Sequence, residues 1–353
     1  MKNNKVINNR DIYWQNIRGI CIIAVVCIHC SGYSDNYIFN EFNSVYYLII
    51  RNLINFPVPC LFFLSGFFSK MSLYEQLDDK YTYIRRRLFK LLIPYLLFSF
   101  VYIIFQLLLL IRTHDHNSIY NYLLSVPKLI ICGEAATPLY FTVVLSYFTL
   151  LTPLLFKILK TSNWKLPLLI TPVITIFVYI CKICFSYDLK YIVLSPIWIS
   201  FYYFGILLSC KKIDFSKIKN RTVILLCLSS YFLEIIESLI IYNNTSVKSF
   251  AFSQMRITAF SYSFFIILIL LVYKKKKYQR SILTTIGDYS YGIYMIHYLW
   301  LQTLWLIYNN IVLDLPVIFV QILEMVSCLI FSISICKIIR KLFGKYSYSL
   351  FGI

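Results

Sequence analysis

Charge is what this sequence has least of. Asp, Glu, Lys and Arg together make up 14% of 353 residues, where a soluble domain carries about 25%. So few charges cannot cover a globular surface in water, which excludes an ordinary soluble enzyme of this length. Acidic residues are the scarcer kind, 15 against 34 Lys and Arg. There is no low-complexity linker, no heptad run and no segment that reads as a soluble domain. No internal repeat is visible, which weighs against transporters built from duplicated halves. The first apolar run follows a basic N-terminus but no small-residue cleavage site follows it, so it reads as a retained helix and not as a signal peptide. Cysteine is present, 11 residues in all, but without a framework. Cys181 and Cys184 form a CxxC inside an apolar run with no second pair, and the cysteines read as small hydrophobes in helix packing.

What is abundant is apolar surface. The chain is 59% hydrophobic and 18% aromatic, with a mean hydropathy of +0.71. Apolar stretches lie at 17–33, 45–68, 89–111, 139–156, 166–185, 191–210, 222–242, 257–273, 289–308 and 316–336. Most approach the ~20 residues that cross a ~30 Å hydrocarbon core. The expected fold is all-α: one polytopic membrane helix bundle over residues 1–353, with about ten transmembrane helices. The net charge of +19 invites a nucleic-acid partner, but its distribution points to the lipid bilayer instead. With the N-terminus inside, 27 of the 34 Lys and Arg fall on the inner loops and the two ends. Only Arg51, Arg112, Lys128, Lys182, Lys190, Lys248 and Arg256 fall elsewhere. This alternation is the positive-inside bias, and it places both termini in the cytoplasm. The outer loop at about 112–138 is expected to hold a short re-entrant or interfacial element.

Ionisable groups within such helices are costly, so each is a functional candidate. Arg18 and His29 are eleven residues apart on the first helix. That is three turns plus ~20°, so both lie on one face, separated by ~16 Å along the axis. His29 toward the outer half suits a general base near neutral pH, or a buried interhelical hydrogen bond. Arg18 at the inner end suits bidentate phosphate binding, or a snorkelling anchor. Arg85, Arg86 and Arg87, with Lys90, form a basic mouth to the third helix that suits phosphates or anchors the helix inside. Ser65-Gly66 permits a close helix approach. On the ninth helix Ser290, Tyr294 and His297 recur at steps of four and three and make one polar stripe. Glu234 and Glu237, three apart on the seventh helix, sit at the level of Arg51 and Arg256. They form either an ion-paired cavity for sugar hydroxyls or a structural salt-bridge cluster. Glu324, one turn after Gln321, sits within the tenth helix. His114-Asp115-His116 offers two metal-ligand types, but too few for a site, and reads as a polar loop.

Five segments, in order, resemble one family. Arg10-Asp11-Ile12-Tyr13-Trp14 leads into Arg18, ten residues and then His29. Val58–Phe68 contains Ser65-Gly66-Phe67. Arg85–Tyr95 runs from basic residues into Pro94-Tyr95. Pro138-Leu139-Tyr140-Phe141 supplies an aromatic pair. Ile286–His297 carries Ser290, Tyr291, Tyr294 and His297. Together they resemble the bacterial membrane acyltransferase-3 family, over nearly the whole chain. The resemblance implies an O-acyltransferase, most often an O-acetyltransferase, of surface polysaccharide or its lipid-linked precursor in the bacterial plasma membrane. It implies acetyl-coenzyme A or another acyl-coenzyme A as donor, with no tightly bound cofactor and no metal. It carries His29 over as catalytic and Arg18 as its motif partner. From their own chemistry, Arg85, Arg86 and Arg87 are candidates for the donor's phosphates, and Tyr140, Glu234, Glu237, Ser290, Tyr294 and His297 are candidates for the acceptor. Tyr140 stands where the family often has Trp, which keeps an aromatic platform and adds a hydroxyl. The rival class is a transporter or flippase for a lipid-linked saccharide, which the carboxylate pair would suit.

Overall fold

The computed structural model describes residues 11–31, 48–69, 71–76, 79–112, 116–185, 195–213, 218–244, 248–274, 279–308 and 317–353. His114, Asp115, Lys70, Lys190, Lys217, Lys275–Lys277 and the basic residues before Asp11 lie outside this set. The helices are α1 (Ile12–Cys30), α2 (Pro57–Phe67), α3 (Lys80–Arg112), α4 (His116–Cys132), α5 (Tyr140–Leu159), α6 (Pro167–Tyr179), α7 (Ile199–Ser209), α8 (Asn220–Asn244), α9 (Ile257–Val272), α10 (Ile282–Asp288), α11 (Ser290–Tyr308), α12 (Val317–Phe343) and α13 (Ser347–Phe351). No strand occurs among the described residues, and each of the ten apolar stretches is helical over most of its described length. The protein is an all-α polytopic helix bundle.

Eight segments among the described residues are long and apolar enough to cross a membrane. The stretch at 191–210 is not in that set, because its described helix, Ser195–Ser209, is shorter. Nor is α11. It has 19 residues, but Ser290, Tyr291, Tyr294, His297, Tyr298 and Gln302 dilute its hydropathy. The outer element expected at 112–138 is a full 17-residue helix, α4, with Pro127 inside it.

Helix α3 shows how sequence sets orientation. Asp79 starts it, accepting from Tyr81 N at 3.0 Å and from the Thr82 hydroxyl, and the Thr82 bond holds the Asp79 carboxyl below its usual range. The helix then runs 33 residues, about 50 Å, longer than the hydrocarbon core. Its basic first turns extend past the apolar part. Leu96, Phe100, Ile104 and Leu108 recur at steps of four and are exposed, a stripe suited to lipid. Tyr95, Phe98, Ser99, Tyr102 and Ile103 face inward.

Without a strong hydrophobic drive between helices in lipid, close backbone approach holds the bundle together. Helices α2 and α7 meet at two glycines. A Cβ on Gly66 would sit 1.9 Å from the Tyr202 carbonyl oxygen, and one on Gly205 would sit 2.1 Å from that of Phe63. Gly66→Val is therefore expected to drive α2 and α7 apart and deplete monodisperse protein on size exclusion. A wild-type profile would contradict this contact. At one end of the bundle, Lys274 pairs with Asp11 at 2.7 Å, Thr284 donates to Asn16 at 2.6 Å, and the Arg340 guanidinium lies 5.7 Å from the Tyr289 ring. The start of α1, the ends of α9 and α12, and α10 thus share one basic end.

Candidate active site

A cavity of about 440 Å³ opens among α1, α2, α3, α5, α10, α11 and α13. Its cations are Arg18, Arg87 and Lys90, and its one carboxylate is Asp288, which pairs with Arg280 at 3.4 Å. Among the described lining residues cations outnumber carboxylates, a charge pattern that suits an anion. Arg87 is held by Tyr83 OH at 3.0 Å and by donation to the Ser65 carbonyl at 3.2 Å. Arg18 lies over the Phe68 ring at 4.9 Å. These contacts orient two planar guanidinium groups on facing helices before any ligand arrives. Deeper in, the lining turns apolar with Ile22, Leu64, Phe141 and Leu145. Tyr294 also lines it, donating to the Pro138 carbonyl.

Beyond Tyr294 stands a histidine pair. The His29 and His297 rings are 5.3 Å apart, and the Tyr294 ring is 6.3 Å from His297. His297 is fully buried, and its Nδ1 lies 3.0 Å from the Ile293 carbonyl oxygen. A carbonyl only accepts, so Nδ1 carries the proton and Nε2 presents its lone pair. That Nε2 has no hydrogen-bond partner among the described residues. His29 is half-buried and also packs 5.4 Å from the Tyr298 ring. Tyr298 accepts from Thr137 at 3.1 Å. Nearby, Trp305 donates to Glu324 at 3.1 Å, which accounts for one oxygen of that buried carboxyl.

The structure thus brings Arg18, Arg87, Ser290 and Tyr294 to one cavity, with His29 and His297 paired just past it. Arg85 and Arg86 are not among its lining residues. Both are exposed, and Arg85 folds over Phe89 at 5.3 Å. Successive residues on a helix turn by about 100°, so three adjacent arginines cannot share one face. Lys90, one turn on from Arg87, does. Tyr140 begins α5, half-buried and outside that lining, while its neighbour Phe141 is inside it.

Glu234 and Glu237 belong to a separate cluster. Glu234 and Arg256 are fully buried and joined at 3.1 Å. Asn55 donates to Glu234 at 2.7 Å, Ser238 donates to Asn52 at 3.0 Å, and Arg256 also reaches Asn52. Glu237 lies 3.5 Å from Arg256 and accepts from Tyr179 and Thr258. Of the two readings of this pair, the geometry favours a structural salt-bridge cluster, with Glu234 buried and Glu237 partly exposed. Glu234 and Arg256 have no surface to offer a sugar.

The model of an acyltransferase domain, acyltransferase family 3, matches residues 11–341. The chain belongs to the acyltransferase-3 family. It is accordingly a multi-pass membrane acyltransferase, of the kind that moves groups other than aminoacyl. Similar curated proteins from Staphylococcus aureus strains MSSA476 and MRSA252 are each 26% identical, covering 85% of this chain and 86% of theirs. Both are named "Probable poly-beta-1,6-N-acetyl-D-glucosamine export protein". No solved structure matches.

For this acyltransferase-3 chain, sequence reasoning missed the pairing of His29 with His297, and the places of Tyr83, Asp288 and Tyr348 in the cavity. A signal for the first existed. The chain has only four histidines, and two fall in the motifs that open and close the family pattern. Nothing in the local sequence marked Tyr348.

Proposed function

We propose that this protein is an O-acyltransferase of the bacterial plasma membrane. In this reading an acyl-coenzyme A, with acetyl the commonest acyl group, donates to a hydroxyl of a surface polysaccharide or its lipid-linked precursor. The observation that carries it is a cationic cavity lined by Tyr294, with a histidine pair just past that ring. Arg18, Arg87 and Lys90 suit the phosphates of coenzyme A. The pantetheine arm is the part long and narrow enough to follow the apolar lining toward Tyr294. His29 then takes the acceptor hydroxyl's proton as that oxygen attacks the thioester carbonyl, and the thiolate of coenzyme A leaves. His297, with Nε2 as acceptor, is placed to share the charge that forms on His29.

The relatives' name supplies the acceptor class. A poly-β-1,6-linked N-acetylglucosamine has free ring hydroxyls that could be acylated. The same name favours a second reading, export of the glycan itself. Mass spectrometry of surface glycan from cells with and without the protein separates the two. A constant mass difference of one acyl group is expected. Unmodified glycan accumulating inside the protein-deficient cells would favour export and sink the transfer reading.

The orientation that puts coenzyme A in the cytoplasm is also a prediction. With ten spans and both termini inside, reporter fusions after Lys160 and Lys277 should read cytoplasmic, and one after Thr113 external. An external reading after Lys277 would break this topology.

A further inference from the structure

The last turn of the chain builds one wall of the cationic cavity. Residues 347–353 lie beyond the stretch 11–341 that matches the family model, yet they are closely fitted to the bundle. Ser347 donates to the main-chain oxygen of Ile353 at 2.8 Å, closing the turn. Gly352 takes φ +72°, the left-handed region that favours glycine. A Cβ there would sit 2.2 Å from a ring carbon of Tyr291. Ile353 is buried in a seat that Gly292 leaves open, where a Cβ would sit 2.4 Å from Ile353 Cγ1. Tyr291 in turn donates to the Leu91 carbonyl of α3 at 2.8 Å, so the seat is tied to the helix that carries Arg87 and Lys90.

This docking leaves one large ring facing outward. Tyr348 is 45% exposed, and with Gly352 it lines the cavity beside Arg18, Arg87 and Lys90. Lys90 Nζ lies 5.5 Å from the centre of the Tyr348 ring. A single exposed aromatic is ordinary on any surface. Here the ring is held by a fitted turn, at a cavity edge, next to cations that suit phosphate. Flat aromatic surface beside phosphate-binding cations is the chemistry that recognises a nucleotide, because every base offers a π-face while its phosphates take the cations.

We propose that Tyr348 is the stacking platform for the purine of the nucleotide donor, and that the docked turn 347–353 exists to hold it there. This rests on the acyl-coenzyme A reading above. Full-length protein in nanodiscs would be titrated with coenzyme A and, separately, with 4′-phosphopantetheine, which lacks the purine. Tyr348→Leu keeps apolar volume without a π-face and is expected to weaken coenzyme A binding roughly tenfold or more, leaving 4′-phosphopantetheine unchanged. Tyr348→Phe is expected to bind coenzyme A like the wild type. Equal loss of both ligands in Tyr348→Leu, or no loss of coenzyme A, would overturn the role of Tyr348 while the donor reading stands. Wild-type protein that binds no coenzyme A would overturn the donor reading itself, and this role with it.

Discussion

Replacing His29 with Gln is expected to lower acyl transfer by ~10²–10⁴-fold, the contribution typical of a general base, while the protein still inserts and accumulates. Gln can fill much of the imidazole's space and keep a hydrogen bond, but it takes up no proton near neutral pH. His29→Ala removes both functions. A structural role predicts that Gln rescues what Ala loses. A catalytic role predicts that the two are nearly equally inactive. The surroundings favour the second outcome. No hydrogen bond to the His29 ring is seen among the described residues, and its neighbours are the rings of His297 and Tyr298. His297 has already committed Nδ1 to a backbone carbonyl, so its one remaining nitrogen is an acceptor. Acylation of surface glycan, normalised to the amount of membrane protein, is the measurement. Near wild-type acylation in the Gln variant would refute the base.

Arg256→Met is the change expected to cost most in stability, about 3–5 kcal/mol. Arg256 is fully buried and donates through three nitrogens to Ser253, Glu234 and Asn52. Met fills the volume but leaves the Glu234 carboxyl buried with only Asn55 for company. The penalty comes from that stranded acid, so removing it as well should recover part of the loss. The Glu234→Leu, Arg256→Met pair should therefore be less destabilised than the sum of the two singles. Thermal unfolding of the solubilised variants measures this, and strict additivity would show that the two groups do not act as a pair. The same set separates the network from a sugar site. Glu234→Gln should keep acyl transfer per folded molecule, whereas loss of transfer in well-folded protein would return Glu234 to the acceptor site.

Helices were legible because lipid imposes one rule on every span: bury no unpaired backbone polar group and present apolar side chains outward. A run such as Leu91–Ile111 satisfies that rule by composition alone, and so does the family pattern that ties Arg18 to His29 by helical spacing. The spacing also placed Ser290, Tyr294 and His297 on one stripe; in α11 Ser290 and Tyr294 line the cavity and His297 lies beyond Tyr294. Depth and facing were less legible. Composition located Arg85, Arg86 and Arg87 together at the basic end, but only packing decided that Arg87 and Lys90 line the cavity while Arg85 and Arg86 do not. Carboxylates three apart announced a neighbour pair in Glu234 and Glu237, but not that Asn55 and Arg256 would enclose Glu234 while Glu237 stays partly exposed.

By itself, then, the sequence determined that this chain is a bundle of apolar helices, and that it carries the acyltransferase-3 motifs. Both properties are local: the apolar run and the turn of a helix act within a few dozen residues. Only the tertiary structure decided that His29 meets His297, and that Tyr348 walls the cavity of Arg18. Those pairs are separated by most of the chain. Their contact depends on where glycines such as Gly19, Gly66 and Gly292 let one backbone settle against another, and no spacing rule along a single helix encodes that.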